Sequence, residues 1–227
     1  MILEGKPPVK VTLKRSARAR RLSLRVSRLD GRVTLTLPKR LPMAEAEAFA
    51  REKESWLRRQ LDSQPDVVPV EFGGTITVEG ETLCIAPGQG RSARVEGDRL
   101  LVPGQPETAA ARVRAFLKLL ARDRLVTASD KYANALGVRY GRVTLRDTRS
   151  RWGSCSSEGN LMYSWRLILA PPEVLDYVAA HEVAHLVEMN HSAAYWNVVT
   201  RLLPDYQAPR RWLRVNGAEL HRYRFGD

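Results

Sequence analysis

Cysteine is nearly missing from this chain, and long apolar runs are absent. Only Cys84 and Cys155 occur in 227 residues, which excludes a disulfide framework and a cysteine-based zinc knot. Any metal must then be held by histidine and carboxylate, and histidine itself occurs only four times. No apolar run approaches the roughly eighteen residues of a membrane span, and the opening Met1-Ile2-Leu3-Glu4-Gly5-Lys6 lacks the apolar stretch of a signal peptide. No membrane partner is expected, and the expected location is cytoplasmic. Aromatics make up only 7%, yet the 44% hydrophobic content is enough for an ordinary globular core. Neither an internal repeat nor a low-complexity segment is apparent.

The net charge of +12 points toward polyanions, and its distribution is uneven. Residues 1–65 carry 16 Lys+Arg against 7 Asp+Glu, residues 66–105 carry 3 against 6, and residues 106–227 carry 18 against 12. Of the 37 cations, 30 are Arg, a choice that suits bidentate phosphate recognition and equally suits a GC-rich genome. The basic segment 10–28 is the candidate contact for nucleic acid, although no recognised nucleic-acid fold or aromatic stacking motif accompanies it. A solvated charged face is the plainer reading of the same residues.

Alternation of apolar and polar residues over 9–13, 22–26 and 33–37 predicts a three-stranded β-meander with Asp30-Gly31 as a hairpin turn. Pro42 opens a helical stretch through Leu61 that ends near Gln64-Pro65, and short runs between Pro69 and Pro106 predict a second set of hairpins. A long helix is expected over 107–136, with Gly137 as its C-cap. Strands over 142–146 and 160–169 then flank a polar loop, and Pro171-Pro172 opens another helix. Two helical stretches follow, near 192–203 and 209–220. The expected fold class is α+β, with a β-rich basic N-terminal domain over 1–105 and a catalytic domain over 106–227.

The helix after Pro171-Pro172 carries His181-Glu182-Val183-Ala184-His185. Residues four apart lie one above the other on a helix, so His181 and His185 can aim imidazole nitrogens at one ion about 2.0 to 2.1 Å away. Glu182 points about 100° around from His181, too far to join the same ligand face but well placed to hydrogen-bond a water. It is the candidate general base, the group that takes a proton as water attacks and returns it to the leaving amine. With four histidines, such a motif arises by chance in only about 0.4% of shuffled chains, so the spacing is informative.

A catalytic zinc usually has three protein ligands and one open position. His191 is the candidate third ligand, six residues past His185, with Asn190 placed to take a left-handed conformation that stops the helix. A downstream carboxylate, Asp205 or Glu219, is the competing ligand. The spacing equals that of metzincins, but Glu188 stands where their turn glycine would be and no Met-turn follows. His221, in the basic tail, reads as a surface residue.

Arg151-Trp152-Gly153-Ser154-Cys155-Ser156, Gly159-Asn160-Leu161, Trp165-Arg166-Leu167, Ala170-Pro171, Tyr177-Val178, the His181 to His185 run, Asn190-His191-Ser192 and Trp196 together resemble the YgjP-like metal-dependent hydrolases, relatives of SprT-type zinc metallopeptidases. The likeness is specific over residues 140–206 and looser over 12–60, through Arg18-Ala19-Arg20-Arg21 and Trp56. It implies a minimal zincin with one Zn2+ per chain, ligands His181, His185 and His191, and the base at Glu182.

Four further residues are candidates for binding substrate: Arg151 and Arg166 for a carboxylate or phosphate, Asn160 on the strand over 160–168 along which a peptide would lie, and Tyr195 as an oxyanion donor. A nucleophile at Ser154 or Cys155 lacks a recognisable base; Trp152 and Cys155 fit better as packing that tucks a loop under the site, with Gly153 in a tight turn. The leading expectation is a zinc metallopeptidase acting on peptide or protein. The alternatives are a nucleotide pyrophosphatase with the same metal chemistry and a nucleic-acid-associated protease held by the basic segment.

Overall fold

The protein is described by a computed structural model over residues 1–27, 31–62 and 66–226. Asp30 of the expected hairpin turn and the expected helix end at Gln64-Pro65 lie outside the described residues. The fold is α+β, and the chain forms two compact units, Met1–Asp66 and Val67–Asp227.

The first unit runs β1 (Ile2–Leu3), β2 (Val9–Ser16), β3 (Ser23–Val26), β4 (Val33–Pro38), α1 (Met43–Glu52) and α2 (Glu54–Asp62). Its strands do not form the expected meander. Their order is β1-β2-β4-β3, with β2 and β4 parallel and the outer pairings antiparallel. A period of two reveals which face of a strand is buried but not which strand lies beside it. The faces are as the alternation requires: Val9, Val11, Val33, Leu35 and Leu37 are buried against Ala46 and Ala50 of α1 and Leu57 of α2. The helical stretch breaks in two at Lys53, whose ψ of 6° leaves the helical range.

The second unit begins with β5 (Val68–Pro69) and a sheet of β6 (Thr75–Val78), β7 (Glu81–Pro87), β8 (Arg94–Glu96) and β9 (Arg99–Val102). The order is β6-β7-β9-β8, again two antiparallel pairs joined by a parallel one. Both four-stranded sheets thus share one topology, each followed by helix. The next helix, α3 (Pro106–Leu136), has proline in its first turn and ends at Gly137 in the left-handed conformation, φ 67°. Ile76, Ile85 and Leu100 of this sheet share one core with Leu117 and Leu125 of α3. That shared core is why the division expected near residue 105 falls inside the second unit.

A three-stranded sheet follows, built of β10 (Val143–Arg146), β11 (Gly153–Cys155) and β12 (Leu161–Ser164) in the order β10-β12-β11. The strand expected to run to Leu169 stops at Ser164 and continues as a 3-10 helix, Trp165–Leu169. All five residues of that helix are buried, and a short buried apolar run looks alike as strand or helix in sequence. β12 is flanked on both sides, so it is closed to a peptide, and the edge strands are β10 and β11. Then come α4 (Pro172–Ala184), α5 (Ala193–Leu202), α6 (Gln207–Asn216), a 3-10 turn Gly217–His221 and β13 (Tyr223–Arg224), which pairs with β5.

His221 is a correction. It is buried, its ring centroid 5.2 Å from that of Trp152, and its Nε2 has no hydrogen-bond partner. Burial, followed by the charge of Arg166, pushes its pKa down to about 4, against a smaller upward pull from Asp147. The unfolded chain therefore takes up a proton below about pH 6.5 that the folded chain refuses until about pH 4. Stability is expected to fall on acidification through this window at up to about 1 kcal/mol per pH unit. Urea titrations at stepped pH on wild type and His221→Phe test this, and the variant should show a shallower loss. Equal slopes would mean that His221 is not the group responsible.

Candidate metal centre and active site

The site grows from α4, a helix that is apolar on nearly every side. Val174, Leu175, Val178, Ala179, Ala180, Val183 and Ala184 are all buried, and such a helix must be sheathed all round. Neighbours α3, α5, α6 and β11 supply the sheath. Into this setting the sequence places Glu182, only 5% exposed.

After His185 the backbone tightens. The N–H groups of Val187 and Glu188 both donate to the Ala184 carbonyl, at 3.1 and 3.0 Å, and Ser192 N–H donates to Asn190 O at 2.7 Å. Among the described residues Glu79 is the one non-glycine with positive φ. Asn190 therefore does not adopt the expected left-handed conformation, and the reversal uses a tightened turn instead. Its effect is the expected one: His191 returns over the helix end, its ring centroid 5.1 Å from His181 and 4.7 Å from His185.

One ligand atom from each of His181, His185 and His191 falls within 4.8 Å of the others. The Nε2 atoms of His181 and His191 are 3.2 Å apart. Two nitrogens on one tetrahedral ion at 2.0 to 2.1 Å would sit about 3.3 Å apart, so His181 and His191 have the spacing of such an ion's ligands. His185 Nδ1 donates to Glu188 O at 3.0 Å, which leaves its Nε2 lone pair free. Burial, then the neighbouring histidines and Arg210, pushes the His181 pKa down to about 3. Burial also lowers that of His185. Neutral imidazoles are the form that binds metal. Among the described residues no cluster of three or more ligand atoms includes Asp205 or Glu219, and Glu219 pairs with Arg222 at 3.2 Å.

Glu182 follows His181 on the same helix. Burial pushes its pKa up to about 8, opposed by the charge of Arg151 and by a hydrogen bond from the Cys155 N–H. Gly153 is what lets β11 come this close. A Cβ at that position would stand 2.5 Å from Glu182 Oε1 and 2.6 Å from its Cγ. Gly153 is thus a strand residue held to glycine by close approach, not the tight turn expected from sequence.

The remaining sequence candidates separate clearly. Arg151 stays near the site, two residues before β11, within electrostatic reach of Glu182. Arg166 does not: its guanidinium is buried, pairs with Asp147 at 2.6 and 3.1 Å, donates to Leu220 O at 3.1 Å, and lies 4.8 Å from the Trp165 ring centroid. Asn160 is tied to Glu158 and to the Arg142 N–H, closing the turn between β11 and β12. Tyr195 is fully buried; its hydroxyl donates to His181 O at 2.9 Å and its ring stacks on His185 at 4.5 Å. It orients His181 and His185, and its hydroxyl is already engaged. Sequence reasoning missed Gly153 as the partner of Glu182 and Arg210 as a neighbour of His181; only the motif around Trp152 hinted at the first, and nothing signalled the second.

A histidine trio that could hold a metal ion, with a buried carboxylate next to it on the helix, suits a metal-dependent hydrolase. The family model of the YgjP-like metallopeptidase domain matches residues 20–216, and the chain belongs to that family. No curated protein matches it. Among solved structures it is similar to the metallopeptidase zymogen of Pyrococcus abyssi abylysin, with 23% identity over 43% of this chain and 92% of that one, at a TM-score of 0.35.

Gly153→Ala should displace the Glu182 side chain and lower hydrolysis of an unfolded protein by at least about tenfold with metal content unchanged. The check is turnover against metal analysis on the same preparation. Full activity in the alanine variant would show that the close approach is dispensable.

Proposed function

We propose that the chain is a zinc metallopeptidase in which His181, His185 and His191 hold one zinc ion and Glu182 is the general base. The observation that carries this is the convergence of three imidazoles, with a buried carboxylate at the helix position next to His181. All-nitrogen ligation by three histidines suits zinc, which supplies Lewis acidity towards a carbonyl and acidifies water.

The chain's own residues do the rest. The Glu182 carboxylate accepts one proton from the water that attacks the peptide carbonyl and delivers it to the departing nitrogen, so the proton count closes. The Cys155 N–H and the charge of Arg151 act on that carboxylate from β11, while Tyr195 fixes His181 and His185. The peptide is placed on the open edge of β11, since Ser164 N–H donates to Trp152 O and Ser156 N–H to Asn160 O. That alternation turns the backbone of Gly153 and Cys155 away from β12; the Cys155 N–H is taken by Glu182, which leaves the Gly153 N–H and the two carbonyls for an added strand.

Purified protein should hold about one zinc per chain, and His185→Ala should lose it. Glu182→Gln should keep zinc and lose hydrolysis of unfolded protein by about 10²- to 10⁴-fold. A metal-free wild type with unaltered stability would contradict the zinc assignment. Release of pyrophosphate from nucleoside triphosphates, abolished by the same glutamine variant and without peptide cleavage, would contradict the peptidase assignment.

A further inference from the structure

The wall of the site formed by α5 and α6 is strongly basic. Between residues 189 and 218 there are four arginines, Arg201, Arg210, Arg211 and Arg214, and one acid, Asp205. Elsewhere in the chain several arginines have carboxylate partners: Arg58 with Glu54 at 2.6 Å, Arg124 with Glu79 at 2.7 Å, Arg166 with Asp147 at 2.6 Å. Arg210 and Arg211 are exposed and have no ion pair among the described residues. With Gln207 and Arg214 they line a recess of about 370 Å³.

Arg210 is held in place by stacking. Its guanidinium lies 4.4 Å from the Trp196 ring centroid. Trp196 stacks on Tyr206 at 5.3 Å, and Tyr206 on Tyr177 at 6.4 Å. The Trp196 ring is 6.0 Å from both His181 and His191, and the charge of Arg210 is near enough to act on His181, Tyr177 and Tyr195. A guanidinium stacked on an aromatic ring keeps its in-plane N–H fork free for a carboxylate. From these centroid distances the fork lies within about three residues of extended peptide of the histidine trio, at about 3.3 Å per residue.

We infer that Arg210, with Arg211 and Arg214 beside it, is a specificity element that binds a carboxylate of the peptide near the cleaved bond, so that the substrates are acidic polypeptides. The inference rests on the peptidase reading and adds the substrate class. The carboxylate comes from a glutamate or aspartate side chain or from the C-terminus of the substrate. Both present the same planar, bidentate anion to the fork. A phosphate backbone is the less favoured ligand, because the chain belongs to a metallopeptidase family, whose substrates are polypeptides that carry carboxylates.

The test uses the zinc-loaded full chain and its Glu182→Gln variant. Each is titrated with fluorescent peptides of one neutral sequence: amidated, with a free C-terminus, and amidated with glutamates introduced. A single-stranded oligonucleotide of matching charge is the fourth ligand. A carboxylate-bearing peptide should bind at least about tenfold more tightly than the neutral amide, the range of a charge-assisted hydrogen bond. Whether the free terminus or the glutamates confer the gain assigns the source. In Glu182→Gln carrying Arg210→Gln the acidic-to-neutral ratio should collapse towards one, while Arg210→Lys in its place should retain part of it. Equal affinity for acidic and neutral peptides, an unchanged ratio in Arg210→Gln, or tighter binding of the oligonucleotide would each overturn the inference. Failure of the peptidase reading would look different: the acidic peptide bound by the zinc-loaded wild type yet left uncut.

Discussion

A carboxylate buried among the apolar residues of α4 is the constraint around which the site is arranged. Burying an ionisable group without partners is costly, and Glu182, 5% exposed, has none within α4. Its hydrogen bond comes from the Cys155 N–H, so β11 must lie against α4. That strand can approach only with glycine at 153. β11 is in turn held by β12, and β12 by β10. Trp152, one residue before β11, rests against the buried His221 at the far end of the chain.

Features with a local cause were legible in the sequence. The start of α4 at Pro171-Pro172, the end of α3 at Gly137, and the stacking of His181 over His185 all depend on residues within a turn or two. Features with a distant cause were not. Arg166 reads as a surface cation until Asp147 and the carbonyls of Leu220 and Tyr223 are seen around it. His221 reads as part of a basic tail because nothing nearby announces that Trp152 covers it. The role of Gly153 depends on a residue almost thirty positions away and could not be told from a turn.

Two results show how one outcome can follow from more than one cause. His191 reaches the other histidines as its spacing suggested, but through a tightened helix end and not through a left-handed Asn190. The two four-stranded sheets share one strand order, β1-β2-β4-β3 and β6-β7-β9-β8, in a chain with no visible internal repeat. What recurs is the pairing of strands, and generic apolar alternation carries no trace of it.

The central claim is that three imidazoles, and no carboxylate or thiolate, hold one zinc ion beside Glu182. X-ray absorption at the zinc edge on the loaded protein measures this directly. The account predicts three nitrogen neighbours at about 2.0 to 2.1 Å with imidazole scattering, reduced to two in His191→Ala. A sulfur shell, or three imidazoles persisting in His191→Ala, would contradict it.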